Sequence, residues 1–183
     1  VGAFERVFTI AHAYRAEPSV TTRHLSEYVS LDAELGFIDS WQDLMDMVEK
    51  VVKNIIRDVT EERAPEQAIL GIESLKLPSR IPRLKLKEAL DKVFERTKVD
   101  HRNEPDLDPK DEKEICEWAA EETGSPFVFI THYPTKKRPF YTFPDPDDPD
   151  HTLSFDLLGV TEEWVTGGQR INEYQMLLDH VKQ

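Results

Sequence analysis

Tyr14-Arg15-Ala16-Glu17 and Thr22-Arg23-His24-Leu25 place two arginines, a glutamate and a histidine around one short stretch of chain. A guanidinium presents a planar fork that pairs bidentately with phosphate or carboxylate, and a nearby histidine adds a donor suited to a polyphosphate. The stretch is a candidate anion site. The same residue types also suit a solvated hairpin carrying a surface ion pair, and both readings stand at this level.

A second constellation is Phe155-Asp156, then Glu162-Glu163, then Thr166-Gly167-Gly168-Gln169-Arg170. Strict strand alternation puts Glu163 and Val165 on one face and Glu162, Trp164 and Thr166 on the other. Glu163 and Thr166 could share a magnesium site only if a bulge re-aimed one of them. The two glycines let backbone approach a ligand closely, and Arg170 just after them could clamp a carboxylate. Two other groups read as structural. Cys116 sits in a predicted helix beside Ile115 and Trp118 and reads as a buried thiol. His101, His132, His151 and His180 lack the short spacing of a zinc site, so zinc is not expected.

These residues need elements to position them. The first 38 residues read as two paired strands, around Phe4, Val7, Phe8 and Ile10 and around Tyr28, Val29, Leu31 and Leu35, joined by a polar loop over 17–24. That loop exceeds what a tight hairpin needs, which often marks function. A helix follows, with Ser40 as its cap and Leu44, Met45, Val48, Val51, Val52, Ile55 and Ile56 at core spacing. A second helix is predicted from about Leu86 to Arg96. The third has Asp108 as cap, Pro109 at its first position and Gly124 as its stop. Strands return at Phe127–Ile130, Phe140–Phe143, Thr152–Leu158 and Glu162–Thr166, and a terminal helix starts near Asn172. Without short parallel crossovers, the expected fold is α+β, a largely antiparallel sheet flanked by helices.

Composition bounds the whole. The chain has 183 residues, 39% apolar and 32% charged, enough for one domain with a real core. Its longest purely apolar runs, such as Phe127-Val128-Phe129-Ile130, fall far short of the roughly 20 residues that span a membrane. A lone cysteine cannot form an internal disulfide, which favours a reducing cytoplasm, and the opening residues are not expected to act as a signal peptide. With 36 acidic and 23 basic side chains the net charge is −13, which opposes non-specific nucleic-acid binding. Lys136, Lys137 and Arg138 still allow a polyanion on one face.

Together the motifs carry a resemblance. Arg15-Ala16-Glu17, Thr22-Arg23-His24-Leu25-Ser26-Glu27-Tyr28 and Leu31-Asp32-Ala33-Glu34 resemble motif 2 of the class II aminoacyl-tRNA synthetases, in the subgroup activating aspartate, asparagine and lysine. Arg138-Pro139-Phe140-Tyr141-Thr142, Ser154-Phe155-Asp156-Leu157 and Gly167-Gly168-Gln169-Arg170 resemble aspartyl-tRNA synthetases of the archaeal type. The match runs in order along essentially the whole chain.

The resemblance implies a class II synthetase-type antiparallel sheet, an aspartate–tRNA ligase activity, and ATP and Mg2+ as cofactors. Aspartyl-adenylate would form first, and aspartate would then pass to tRNA. It makes Arg15 and Glu17 the catalytic pair, Arg15 on the α-phosphate and substrate carboxylate and Glu17 on the adenine. Arg23 and His24 fall on the outer phosphates, and Glu163 and Thr166 on the metal, Glu163 also counting toward ATP. Asp156 falls on the substrate ammonium, Tyr141 on the pocket wall, Gly167 and Gln169 on the substrate, and Arg170 on the aspartate side chain. Expected partners are tRNA(Asp), with tRNA(Asn) open, in a cytoplasmic homodimeric parent with no membrane association.

Two departures stand out. Val160-Thr161 replaces an Arg-Gly pair usual in the family, and Thr166 stands where serine is commoner. Motif 1, motif 3 and an anticodon-binding domain are not found in residues 1–183, so the expectation is a partial catalytic domain that binds ATP weakly and does not aminoacylate alone. Competing readings are an asparagine-forming or asparaginyl-tRNA synthetase relative, and a non-catalytic, regulatory nucleotide-binding domain.

Overall fold

The computed structural model describes residues 2–16, 25–73, 75–159 and 162–182. It divides into two compact units, Val1–Ser40 and Trp41–Gln183.

The first unit is an antiparallel ribbon of β1 (Arg6–Tyr14) and β2 (Glu27–Leu35), in register from Arg6 opposite Leu35 to Tyr14 opposite Glu27. Alternation gives it two unlike faces. Phe8, Ile10, Val29 and Leu31 share one and are exposed, whereas Thr9, Ser30 and Asp32 lie on the other. The paired strands expected over the first 38 residues are present.

The second unit is built on a four-stranded sheet in the order β3-β4-β7-β8, where β3 is Arg83–Lys85, β4 Phe127–Thr131, β7 Ser154–Gly159 and β8 Glu162–Gly168. Both faces are covered. Helix α1 (Gln42–Glu62) packs Met45 and Val52 against Phe127, Phe129, Phe155 and Leu157. On the opposite face α3 (Leu86–Thr97) and α4 (Pro109–Thr123) bring Leu90, Val93, Ile115 and Ala119 onto Val128, Ile130 and Leu158. Cys116 is buried in that second layer, as expected.

The start of α4 follows the anticipated chemistry. The Asp108 carboxylate accepts from the backbone N–H of Lys110 at 2.7 Å and of Asp111 at 2.9 Å, Pro109 occupies the first turn, and Gly124 ends the helix at φ 68°. Other elements depart from expectation. Trp41 rather than Ser40 holds the cap position of α1, with no side-chain capping bond, and Val51 and Ile55 face outward. β3 pairs parallel with β4 across α3 and α4, a crossover hidden by the three-residue length of β3. A short α2 (Ala64–Leu70) buries no residue and so leaves no hydrophobic period.

The segment read as strand Thr152–Leu158 breaks at Leu153 into β6 (Asp148–Thr152) and β7, with β6 paired to β5 (Pro144–Asp145). Phe140–Phe143 is not a strand. Thr142 N–H turns back to the Pro139 carbonyl at 2.9 Å, and the segment then runs along Gln169–Ile171 through Ile171 N–H to Tyr141 O and Phe143 N–H to Gln169 O, both 2.8 Å. The terminal helix α5 begins at Tyr174 and ends at Val181. Among the described residues, no helix is long and apolar enough to cross a membrane.

Candidate active site

The candidate site grows from one irregularity in the β7–β8 ladder. Asp156 lies opposite Thr166 and Leu157 opposite Val165, but Leu158 lies opposite Glu163, so Trp164 is an extra residue. Such a bulge resets the alternation of the longer strand. Asp156 and Leu158 share a face, and their partners Thr166 and Glu163 therefore share it too. Trp164 turns the other way and meets the Phe127 ring edge-on, at a centroid distance of 4.9 Å. A bulky indole with an aromatic to cover is a physical reason for the bulge to sit there.

At the centre is Asp156, 6% exposed. The Thr166 hydroxyl donates to its Oδ1 at 2.6 Å, and Arg138 Nη2 donates to its Oδ2 at 2.7 Å. Arg138 also reaches the Thr166 hydroxyl through Nη1 at 3.2 Å, and its guanidinium lies 3.9 Å from the centre of the Tyr133 ring. Burial, then the negative charge of Asp156, pushes the Tyr133 hydroxyl well above its ordinary range, so it stays a proton donor. Sequence reasoning gives Tyr133 no role and reads Arg138 with Lys136 and Lys137 as a basic run open to a polyanion, whereas the structure turns Arg138 inward onto Asp156 and Thr166. Arg138 was visible inside Arg138-Pro139-Phe140-Tyr141, but its convergence with β7 and β8 depends on long-range register.

Glu163 stands on the same face, with its side chain reaching solvent. Crowding by surrounding protein, reinforced by the charge of Asp156, pushes its carboxyl up to about 7, with Arg138 opposing and Glu112 and Asp106 adding to the rise. Asp106 is raised as well, first by desolvation. A face holding this much negative charge, with a carboxylate and a hydroxyl as hard oxygen donors, fits a magnesium ion. With its proton committed to Asp156 and one lone pair to Arg138 Nη1, the Thr166 oxygen keeps one lone pair.

Arg170 and Tyr141 meet on the segment beside β8, where the guanidinium lies 5.2 Å from the ring centre. Thr142 forms a single β-bridge with Arg170. Gln169 is held by backbone bonds on both sides, its N–H to the Leu153 carbonyl at 2.9 Å and its carbonyl to Phe143 N–H. From α5, the His180 ring nitrogen reaches the Phe140 carbonyl at 3.2 Å. Gly167 has a packing reason: a Cβ there would lie 2.6 Å from the Phe155 ring on the core side.

Arg15 belongs to the first unit, where its N–H extends the ladder to the Ser26 carbonyl at 2.9 Å and its guanidinium lies 5.3 Å from the centre of the Tyr28 ring. Glu17, Arg23, His24 and the Val160-Thr161 departure lie outside the described residues. Elsewhere in the second unit, His101 Nδ1 sits 2.9 and 3.0 Å from the two Asp111 carboxylate oxygens, next to the Asp108 helix cap. These three side chains offer ligand atoms within 4.8 Å of one another, but their partners are each other and the start of α4.

The chain is similar in sequence and fold to known proteins. Residues 1–183 match the family described as tRNA synthetases class II (D, K and N). The chain is 43% identical over 185 residues to an aspartate–tRNA(Asp/Asn) ligase of Aeropyrum pernix, covering all of this chain and 41% of that protein. An aspartyl-tRNA synthetase structure from Entamoeba histolytica superposes with a TM-score of 0.88 at 27% identity, over 99% of this chain and 38% of that one. An asparaginyl-tRNA synthetase from the same organism, in complex with asparaginyl-adenylate, gives 0.85 at 31% identity, over 99% and 41%. The chain thus spans about two fifths of the relatives it matches, in the α+β architecture they hold in common. With all of residues 1–183 matching that family, the chain belongs to the class II tRNA synthetases of the aspartate, lysine and asparagine group.

Proposed function

We propose that this chain is the amino-acid- and nucleotide-binding part of an aspartate–tRNA ligase that works in the cytoplasm as a homodimer, with ATP and Mg2+. The supporting observation is the bulge at Trp164, which sets Glu163 and Thr166 on the face of Asp156 while Arg170 stacks on Tyr141 in the adjoining segment. An aspartate carboxylate oxygen attacks the α-phosphorus, a P–O bond forms, and pyrophosphate leaves with the electrons of the broken bond. A hydroxyl of the terminal adenosine of tRNA then attacks the activated carbonyl and AMP departs.

In this reading Arg170 holds the side-chain carboxylate of aspartate. A guanidinium fork fits that group far better than an amide, and Tyr141 limits where the guanidinium can go. Asp156 receives the substrate ammonium through the lone pairs its internal partners leave, since a carboxylate accepts about four hydrogen bonds. Gly167 and Gln169 offer the substrate backbone and side chain. Glu163 and Thr166 would hold the magnesium, which supplies charge neutralisation of the phosphates when bound. Arg15 and Glu17 are assigned to the α-phosphate and adenine, and Arg23 with His24 to the outer phosphates. In isolation, residues 1–183 are expected to bind ATP weakly and not to aminoacylate.

The test is aspartate-dependent pyrophosphate exchange by the full-length protein containing this chain. Arg170→Leu is expected to lower kcat/KM for aspartate by at least about 10²-fold. Unchanged exchange would overturn the assignment. Exchange with asparagine in place of aspartate would favour an asparaginyl relative, release of free asparagine on adding ammonia an asparagine-forming one, and absence of any nucleotide binding a regulatory domain.

A further inference from the structure

We propose that Arg138 is a positioning residue of this site, a strut that locks Asp156 and Thr166 to each other so that the ammonium-facing carboxylate and the cation-facing hydroxyl are set together. The inference rests on the functional reading above and deepens it.

Three contacts define the strut. Nη2 pairs with Asp156 Oδ2 at 2.7 Å, Nη1 reaches the Thr166 hydroxyl at 3.2 Å, and the guanidinium plane rests on the Tyr133 ring at 3.9 Å. Thr166 closes the triangle by donating to Asp156 Oδ1 at 2.6 Å. The base of the strut is stiff. Arg138 follows a 3-10 turn at Thr135–Lys137, where Lys137 N–H bonds the Pro134 carbonyl at 2.9 Å and Arg138 N–H the Thr135 carbonyl at 3.4 Å. Pro139 comes next, and the Thr135 hydroxyl ties the turn to the Pro149 carbonyl at 2.9 Å.

Only arginine meets all three demands. Its fork can address two acceptors along fixed directions while its flat face stacks, whereas lysine offers one point charge. Asp156 is on β7 and Thr166 on β8, so without the fork the two side chains are joined only by their own hydrogen bond. Small displacements of groups that orient substrate are costly in rate and affinity.

The experiment uses the full-length protein with Arg138→Met and Arg138→Lys, measuring kcat and KM for aspartate in pyrophosphate exchange and, by calorimetry on the ATP complex without aspartate, the magnesium concentration for half-saturation. R138M is expected to raise both the aspartate KM and the magnesium requirement, each by about ten- to a hundredfold. R138K is expected to recover most of the aspartate KM, because an ammonium still pairs with Asp156, and to leave the magnesium requirement raised, because it does not also hold Thr166. A purely structural arginine would reduce the amount of active enzyme and lower kcat while both half-saturation values stayed at wild type, and that result overturns the proposal. R138K restoring both values overturns the coupling through Thr166. If R138M fails to fold, the split in R138K decides alone. A wild-type protein without aspartate-dependent exchange instead removes the functional reading, and this inference with it.

Discussion

Thr166 and Asp156 face each other across the β7–β8 ladder, and the threonine hydroxyl spends its only proton on the aspartate, at 2.6 Å. One hydroxyl thus serves one neighbour as donor while accepting from Arg138 Nη1 at 3.2 Å, which leaves it a single lone pair. Removing it leaves a buried carboxylate oxygen short of a partner. Thr166→Val should lower unfolding stability by about 1–3 kcal/mol, and Thr166→Ser by about 0.5 kcal/mol at most, because serine keeps the donor. Urea midpoints of the two variants against the parent check this, and equal losses would contradict it.

Gly167 is intolerant of even a methyl group for reasons of packing. A Cβ would fall 2.6 Å from the Phe155 ring, which is 1% exposed and has nowhere to retreat. Gly167→Ala should cost about 1–3 kcal/mol, the usual price of overpacking. Adding Phe155→Leu should return part of that loss, a non-additivity readable in a double-mutant cycle.

Glu163 makes stability depend on pH with a definite sign. Its carboxyl rises from 4.5 to about 7 in the folded chain, so the folded state binds the proton more tightly than the unfolded one. Stability should fall as pH rises from 4.5 through 7. Glu163→Gln, in chelator and without metal, should match the parent near the acid end of that window and be the more stable protein above it. Identical pH profiles of the urea midpoint would rule out the environment described for Glu163.

His101 carries a second pH signature with another origin. Its hydrogen bond to Asp111 is the main cause of a raised imidazole pKa, with burial opposing it. A histidine whose folded pKa lies above 6.5 contributes stability fully below 6.5 and loses it as pH rises through the folded value. His101→Gln should therefore differ most from the parent below 6.5 and converge with it in mild alkali. Chemical denaturation across that range, performed on His101→Gln and Glu163→Gln separately, assigns each component to its residue.

Local rules made some elements legible and long-range register concealed others. Helix α4 could be read end to end because Asp108, Pro109 and Gly124 act locally on the backbone of the helix they bound. The motif residues of the second constellation were found by type and order. Their common face was not, since Glu-Glu-Trp-Val-Thr obeys plain alternation, and only the demand of Trp164 for the Phe127 ring breaks it. Phe140–Phe143 has strand composition, yet Pro139 begins a turn and the segment pairs with Gln169–Ile171 through isolated backbone bonds. The linkage of Arg138 to Asp156 spans 18 residues and three elements, beyond any local pattern.

The bulge at Trp164 makes chain length in β8 a chemical variable. At an offset of three, the acid and the hydroxyl reach one face only through the extra residue; deleting Trp164 would shorten the offset to two, where plain alternation keeps both on the face of Asp156 and what is lost is the indole over the Phe127 ring.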